Sequence, residues 1–147
     1  MELASDASVM IRRAFAGQRH TLSEKSANDF ATDTDREVEA MMATRIAAAF
    51  PGDMLLGEEG GERVLGYASA TGVRWIVDPL DGTFNFVHGF PYIATSIAIE
   101  ADGVVALGVI ANPVNGEVFS AALGAGAWLH AAGQSPVPLA VSRAHDL

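Results

Sequence analysis

The sequence has no cysteine, two tryptophans, two tyrosines and half as many basic as acidic side chains. Without cysteine there is no disulfide framework and no thiol chemistry, and a zinc centre is disfavoured. His20, His88, His130 and His145 show no paired metal spacing either. The absence of cysteine suits a reducing cytosol, and a cytoplasmic location is expected. The net charge is −9. No basic patch exists to neutralise phosphates, which argues against nucleic acid or an anionic membrane as partner. The substrate can still be an anion if a metal recruits it. The chain opens with no basic segment leading into an apolar core, so no signal peptide is expected. Long hydrophobic runs are also lacking: Val104 to Ala111 is too short to cross a bilayer. The 147 residues suffice for one domain with a real core. Repeats, low-complexity tracts and linkers are absent.

What the chain does have is Trp75-Ile76-Val77-Asp78-Pro79-Leu80-Asp81-Gly82-Thr83. The apolar run Val73 to Val77 predicts a buried strand. Proline has no N–H to donate, so the strand is expected to stop at Asp78-Pro79. Asp78 and Asp81 then flank a turn, Gly82 permits close backbone approach, and Thr83 opens a short helix. Two carboxylates at a strand end suit a hard divalent cation, and free amides at a helix start suit a phosphate. Asp-Pro and Asp-Gly are also ordinary turn formers, and alone the segment carries either reading. A second acidic pair, Gly57-Glu58-Glu59-Gly60, follows another apolar run at Met54 to Leu56. Two strand ends bearing carboxylates in one small domain point to one site.

Elsewhere the pattern supplies the frame. Ala4, Ala7, Met10, Ile11, Ala14 and Phe15 recur at helical spacing, with Gly17 as the stop. Gln18 to Phe30 is polar and predicts a loop. A second helix is expected from Asp35 to Phe50, with Thr34 and Glu37 as a capping box and Val38, Met41, Met42 and Ile46 as its core stripe. Gly60, Gly61, Gly66 and Gly72 mark a flexible stretch over the site. Tyr92 to Glu100 alternates, with Ile93, Thr95, Ile97 and Ile99 on one face. Asp102-Gly103 and Asn115-Gly116 turn the chain into Val104 to Ala111 and Glu117 to Ala122. Ala127 to His130 and Val137 to Val141 follow. The expected fold is α+β: a mainly antiparallel sheet with two long helices on one face.

Several motifs fail. Asp33, Asp35 and Glu37 alternate like a calcium loop, but its sixth position must be glycine and is Val38. Gly124-Ala125-Gly126 lacks the third glycine of a dinucleotide fingerprint, since Leu129 stands there. No Walker loop or nucleophile elbow appears. Asp81-Gly82-Thr83 is similar to phosphatases that form an aspartyl-phosphate, but the nucleophilic position is Pro79. Hydrolysis, if catalysed, goes by direct attack of water.

Taken together, Gly57-Glu58-Glu59, Trp75 to Thr83 and Asn85-Phe86 resemble the inositol monophosphatase family, magnesium-dependent and lithium-sensitive phosphomonoesterases. Ala31-Thr32-Asp33-Thr34-Asp35, Gly108-Val109-Ile110, Asn112-Pro113-Val114 and Gly124-Ala125-Gly126-Ala127 extend the match over the chain. The resemblance implies the first half of a layered αβαβα sandwich. It makes residues 1–147 the N-terminal metal-binding half, without the second half and its Trp-Asp segment carrying a further metal-binding aspartate. It implies Mg²⁺ held by Glu58, Asp78, the Leu80 carbonyl and Asp81, with Asp78 bridging two ions. Thr83 with Asp35 orients the attacking water, and Glu58 helps accept its proton. Asp35 is preferred to Asp33 because Val38-Glu39 fixes the register. Asp81, Gly82 and Thr83 hold the phosphate; Glu59 is the lesser ligand of its pair. A family lysine near Lys25 faces the metals. The implied substrate is inositol monophosphate or a related phosphorylated polyol or sugar, with histidinol phosphate and adenosine bisphosphate as rivals. The complete protein is expected to be a homodimer. The opposed reading is a catalytically incomplete fragment that needs the missing half.

Overall fold

The computed structural model describes residues 1–17, 22–26, 29–66 and 71–142, with only the backbone course given for residues 22–31. In chain order the elements are α1 (Glu2–Gly17), β1 (Leu22–Ser26), β2 (Asp29–Thr32), α2 (Asp33–Ala49), β3 (Met54–Gly57), β4 (Gly61–Val64), β5 (Val73–Asp81), α3 (Thr83–Val87), β6 (Ala94–Ala101), β7 (Val104–Ala111), β8 (Val118–Ala122), β9 (Gly126–His130) and β10 (Val137–Leu139). The last eight strands form one sheet in the order β10-β9-β8-β7-β6-β5-β3-β4. From β5 to β10 it is an antiparallel meander, and only β3 with β5 is parallel. The architecture is therefore the expected α+β, with one parallel step, from β3 to β5, that the chain makes by way of edge strand β4.

The helices bury one face of this sheet. Ala4, Ala7 and Ile11 of α1 and Val38, Met42 and Ile46 of α2 meet Leu55, Val77, Ile97 and Val109. Small alanines on α1 let that helix lie close to α2. Asp53, 5 % exposed just before β3, accepts hydrogen bonds from Trp75 Nε1 at 2.8 Å and Thr71 Oγ1 at 2.5 Å. A buried carboxylate needs such partners, and these two lock the start of β5 to the start of β3. Among the described residues no helix is long and apolar enough to cross a membrane.

Four expectations are corrected. Gln18 to Phe30 contains the antiparallel pair β1–β2 rather than a continuous loop. The local polarity concealed a short ribbon whose pairing partners are its own neighbours. Lys25 lies in this pair, and its side chain is outside the described residues. Helix α2 begins two residues early, and its capping box is Thr32 with Asp35 rather than Thr34 with Glu37. Both pairs fit the box spacing, but Thr32 has the extended backbone that an N-cap requires. Strand β10 ends at Leu139, short of Val141.

The fourth concerns Pro79, which does not stop its strand. Asp78 pairs with Ser96 and Asp81 with Ala94, so β5 carries one residue more than β6 between these pairs. Proline is tolerated in such a bulge because no ladder N–H is required of it. The Pro79 carbonyl instead accepts the buried Thr95 hydroxyl at 2.9 Å. Of the glycine-rich stretch, Gly61 is in edge strand β4, and residues 67–70 lie outside the described residues.

Leu55 is fully buried between α2 and the sheet, whereas Leu123 is 74 % exposed. Leu55→Ala should cost about 2–5 kcal/mol of stability in urea unfolding. Leu123→Ala should stay within about 0.5 kcal/mol.

Candidate active site

Three segments supply the site: the β3–β4 turn with Glu58, the β5 bulge with Asp78, Leu80 and Asp81, and the Gly82-Thr83 start of α3. In a regular strand, residues three apart face opposite sides. The extra residue of the bulge removes that opposition, so Asp81 acts on Asp78. Asp78 Oδ1 accepts the Leu80 N–H at 3.1 Å, which closes the bulge on itself. Glu58 reaches Asp78 from the neighbouring strand end, close enough to share a hydrogen bond.

The crowding changes the chemistry of Asp78. Its carboxyl is pushed up to about 7, first by burial, then by the charge of Glu58 and the hydrogen bond with it, then by Asp81. The Leu80 amide pulls the other way. In the absence of a cation, a proton is held where two carboxylates meet. This donor set, all oxygen and mutually repelling, fits a hard divalent cation, which would displace that proton. Among the described residues no three His, Asp or Glu side chains stand at closed ligand spacing.

Beside this cluster lies a hydroxyl between two acceptors. Thr83 Oγ1 is 3.1 Å from Asp35 Oδ1 and 3.1 Å from the Leu80 carbonyl. Asp35 is fully buried, and its other oxygen accepts the Thr32 N–H at 2.8 Å and the Thr32 hydroxyl. The capping carboxylate of α2 thus also fixes Thr83. Asp33 is exposed and pairs with Arg36, so Asp35 is the one that faces the site. Gly82, with φ 85°, caps α3. A Cβ there would sit 2.8 Å from the Tyr92 carbonyl, so both backbone and space require glycine.

A model of the inositol monophosphatase family matches residues 1–147. The chain belongs to the inositol monophosphatase family. Nus factor SuhB of Vibrio cholerae is 42% identical over 108 residues, 74% of this chain and 39% of that protein. A histidinol-phosphatase of Chlorobaculum parvum is 38% identical over 130 residues, 88% of this chain and 49% of that protein. The solved structure of an IMPase from Thermotoga maritima superposes with a TM-score of 0.81 at 31% identity, over 97% of this chain and 52% of the other. The chain thus spans about half the length of these relatives, or less.

All the residues singled out from the sequence fall at this end of the sheet, apart from Lys25, whose side chain is undescribed. Two were overlooked. Thr95 ties the bulge through Pro79, with no sequence signal beyond its place on the buried face of β6. Glu39 lies in the buried stripe of α2, 2 % exposed, beside Val38 and Met42. A carboxylate in a core stripe is itself a signal, since it must have found partners.

Asp78's raised value sets a pH dependence. A carboxyl whose folded value lies above its ordinary 3.8 favours the fold at low pH, and that contribution is lost as pH rises through about 7. A cation bound by the Asp78 carboxylate would expel the same proton. Calorimetry in buffers of differing ionisation enthalpy should find close to one proton released per Mg²⁺ at about pH 6 and almost none at about pH 8.5. Asp78→Asn should abolish the release.

Proposed function

We propose that this chain carries the metal-binding side of a Mg²⁺-dependent phosphomonoesterase that hydrolyses inositol monophosphate or a related sugar phosphate by direct attack of water. The observation that carries this reading is the Thr83 hydroxyl, held by buried Asp35 next to the Glu58–Asp78–Asp81 cluster. Family membership supports phosphatase chemistry.

Phosphate monoester hydrolysis is among the slowest reactions in water, because a dianion repels its nucleophile and an alkoxide leaves poorly. Glu58, Asp78, Asp81 and the Leu80 carbonyl would hold Mg²⁺. When bound, the cation supplies positive charge against the phosphate oxygens and makes a neighbouring water more acidic. Thr83, with its hydroxyl turned by Asp35, accepts or donates to that water and aims it. Glu58 takes up the proton. The amides of Gly82 and Thr83, which open α3 and have no acceptor within that helix, hold phosphate oxygens, and Asp81 acts on the phosphate only through the cation it would hold. Pro79 offers no side chain that could attack phosphorus, so no phospho-enzyme forms at that position.

Because the chain spans about half of its relatives, a further aspartate from polypeptide beyond these residues would complete the second ion's shell. The complete enzyme would then be a cytoplasmic, lithium-sensitive homodimer, and residues 1–147 alone a feeble catalyst. Histidinol phosphate is the second substrate reading, supported by the 38% identity to a histidinol-phosphatase.

Asp78→Asn and Thr83→Val separate the two roles in the complete protein. Asp78→Asn should weaken Mg²⁺ binding and nearly abolish turnover of inositol monophosphate. Thr83→Val should lower kcat by about 10²–10⁴-fold with Mg²⁺ affinity preserved. Lost affinity with unchanged kcat in Thr83→Val would reverse that assignment.

A further inference from the structure

Helix α2 sends two carboxylates into the protein one turn apart. Asp35 and Glu39 are four residues apart and so lie on the same face. Asp35 holds Thr83. Glu39 holds something else: its Oε2 accepts the Glu59 N–H at 2.7 Å, and its Oε1 accepts the Gly60 N–H at 3.0 Å and Arg63 Nη2 at 3.0 Å. These are charge-assisted bonds from consecutive backbone amides to a carboxylate withdrawn from water, the strong kind. The fit is close on every side. A Cβ at Gly57 would lie 2.4 Å from the Glu39 Cδ, and one at Gly60 would lie 2.7 Å from Oε1 and 2.0 Å from Arg63 Nη1. The two glycines of Gly57-Glu58-Glu59-Gly60 are thus the space that the Glu39 carboxylate and the Arg63 guanidinium occupy.

We propose that Glu39 is a positioning residue for metal binding, and that it acts by clamping the β3–β4 turn so that Glu58 is presented to Asp78. Glu58 sits between the residue packed on the carboxylate, Gly57, and the residue whose amide is bound, Glu59. Its backbone therefore has little freedom left. The same helix fixes Thr83 through Asp35, so α2 sets the spacing between the turn that carries Glu58 and the segment that carries Thr83. A helix turn is a stiff spacer of about 5.4 Å. Neither carboxylate is assigned to the cation: Asp35 holds the segment assigned to the water and the phosphate, and Glu39 holds the turn that carries Glu58. The inference rests on the reading of Glu58 as a metal ligand.

The variant Glu39→Gln keeps the shape but has one acceptor oxygen, so one amide faces an NH₂ group. Two readouts follow in the complete protein. Mg²⁺ affinity by calorimetry should fall about ten- to a hundred-fold, as for other groups that orient metal ligands. Hydrogen exchange of the Glu59 and Gly60 amides should quicken at least about tenfold, with exchange in β5 to β8 unchanged. The control Glu37→Gln removes an exposed charge from the same helix and should change neither. If Glu39→Gln fails to fold, Gly60→Ala carries the same readouts, because Gly60 is exposed and its Cβ meets chiefly the flexible end of Arg63. Wild-type affinity in a folded Glu39→Gln, or in Gly60→Ala with displaced amide protection, would overturn the proposal. Glu58→Gln separates the two levels. Unchanged affinity there sinks the ligand reading, while the exchange data still judge the clamp.

Discussion

Mutual repulsion among Glu58, Asp78 and Asp81 is the constraint that the rest of this structure answers. Two unit charges about 4 Å apart at an effective dielectric of about 20 repel by about 4 kcal/mol. That is a large part of the roughly 5–15 kcal/mol that separates a folded domain from its unfolded chain. Left to themselves the carboxylates would turn out to solvent. They are held because their backbone segments are held: the β5 bulge by Thr95 and the Leu80 amide, the β3–β4 turn by Glu39, and the start of α3 by Asp35 and the Tyr92 carbonyl against Gly82. Asp78, raised first by burial and then by Glu58 and Asp81, keeps its proton to about 7. In the proposed function a divalent cation would offset that repulsion with charge of the opposite sign.

Five carboxylates serve this end of the sheet, and their surroundings divide them. Asp35 and Glu39 are buried and satisfied by hydroxyls, amides and a guanidinium. Glu58, Asp78 and Asp81 lie nearer the surface and press on one another. The first group fixes geometry, and in the proposed function the second group would hold the cation. Residue type alone says nothing about this division; partners decide it.

That is also why the sequence was legible in some places and opaque in others. Periodicity marks α1 and α2 because their alanine and aliphatic stripes are set by burial against one sheet. The Asp-Gly and Asn-Gly turns mark the meander from β6 to β8 because local backbone chemistry determines a hairpin. The site segments are legible because carboxylates, glycine and proline cluster there for a reason that is itself local. What is not local could not be read. A proline would end a regular strand, and only the pairing of β5 with β6 reveals the bulge that admits Pro79. Thr32 and Thr34 both fit a capping box, and the choice is made by the chain entering from β2. Glu39 meets its partners twenty and more residues away, across a turn that no spacing rule connects to α2.

The most direct test of this account is anomalous diffraction from crystals of the complete protein soaked in Mn²⁺, a cation that favours the same oxygen ligands. The account predicts a peak among Glu58, Asp78, Asp81 and the Leu80 carbonyl, with oxygen ligands at about 2.1–2.3 Å and the Thr83 hydroxyl facing a water beside it. Saturating Mn²⁺ with no peak there, or a peak whose ligands leave out both Glu58 and Asp78, would contradict it.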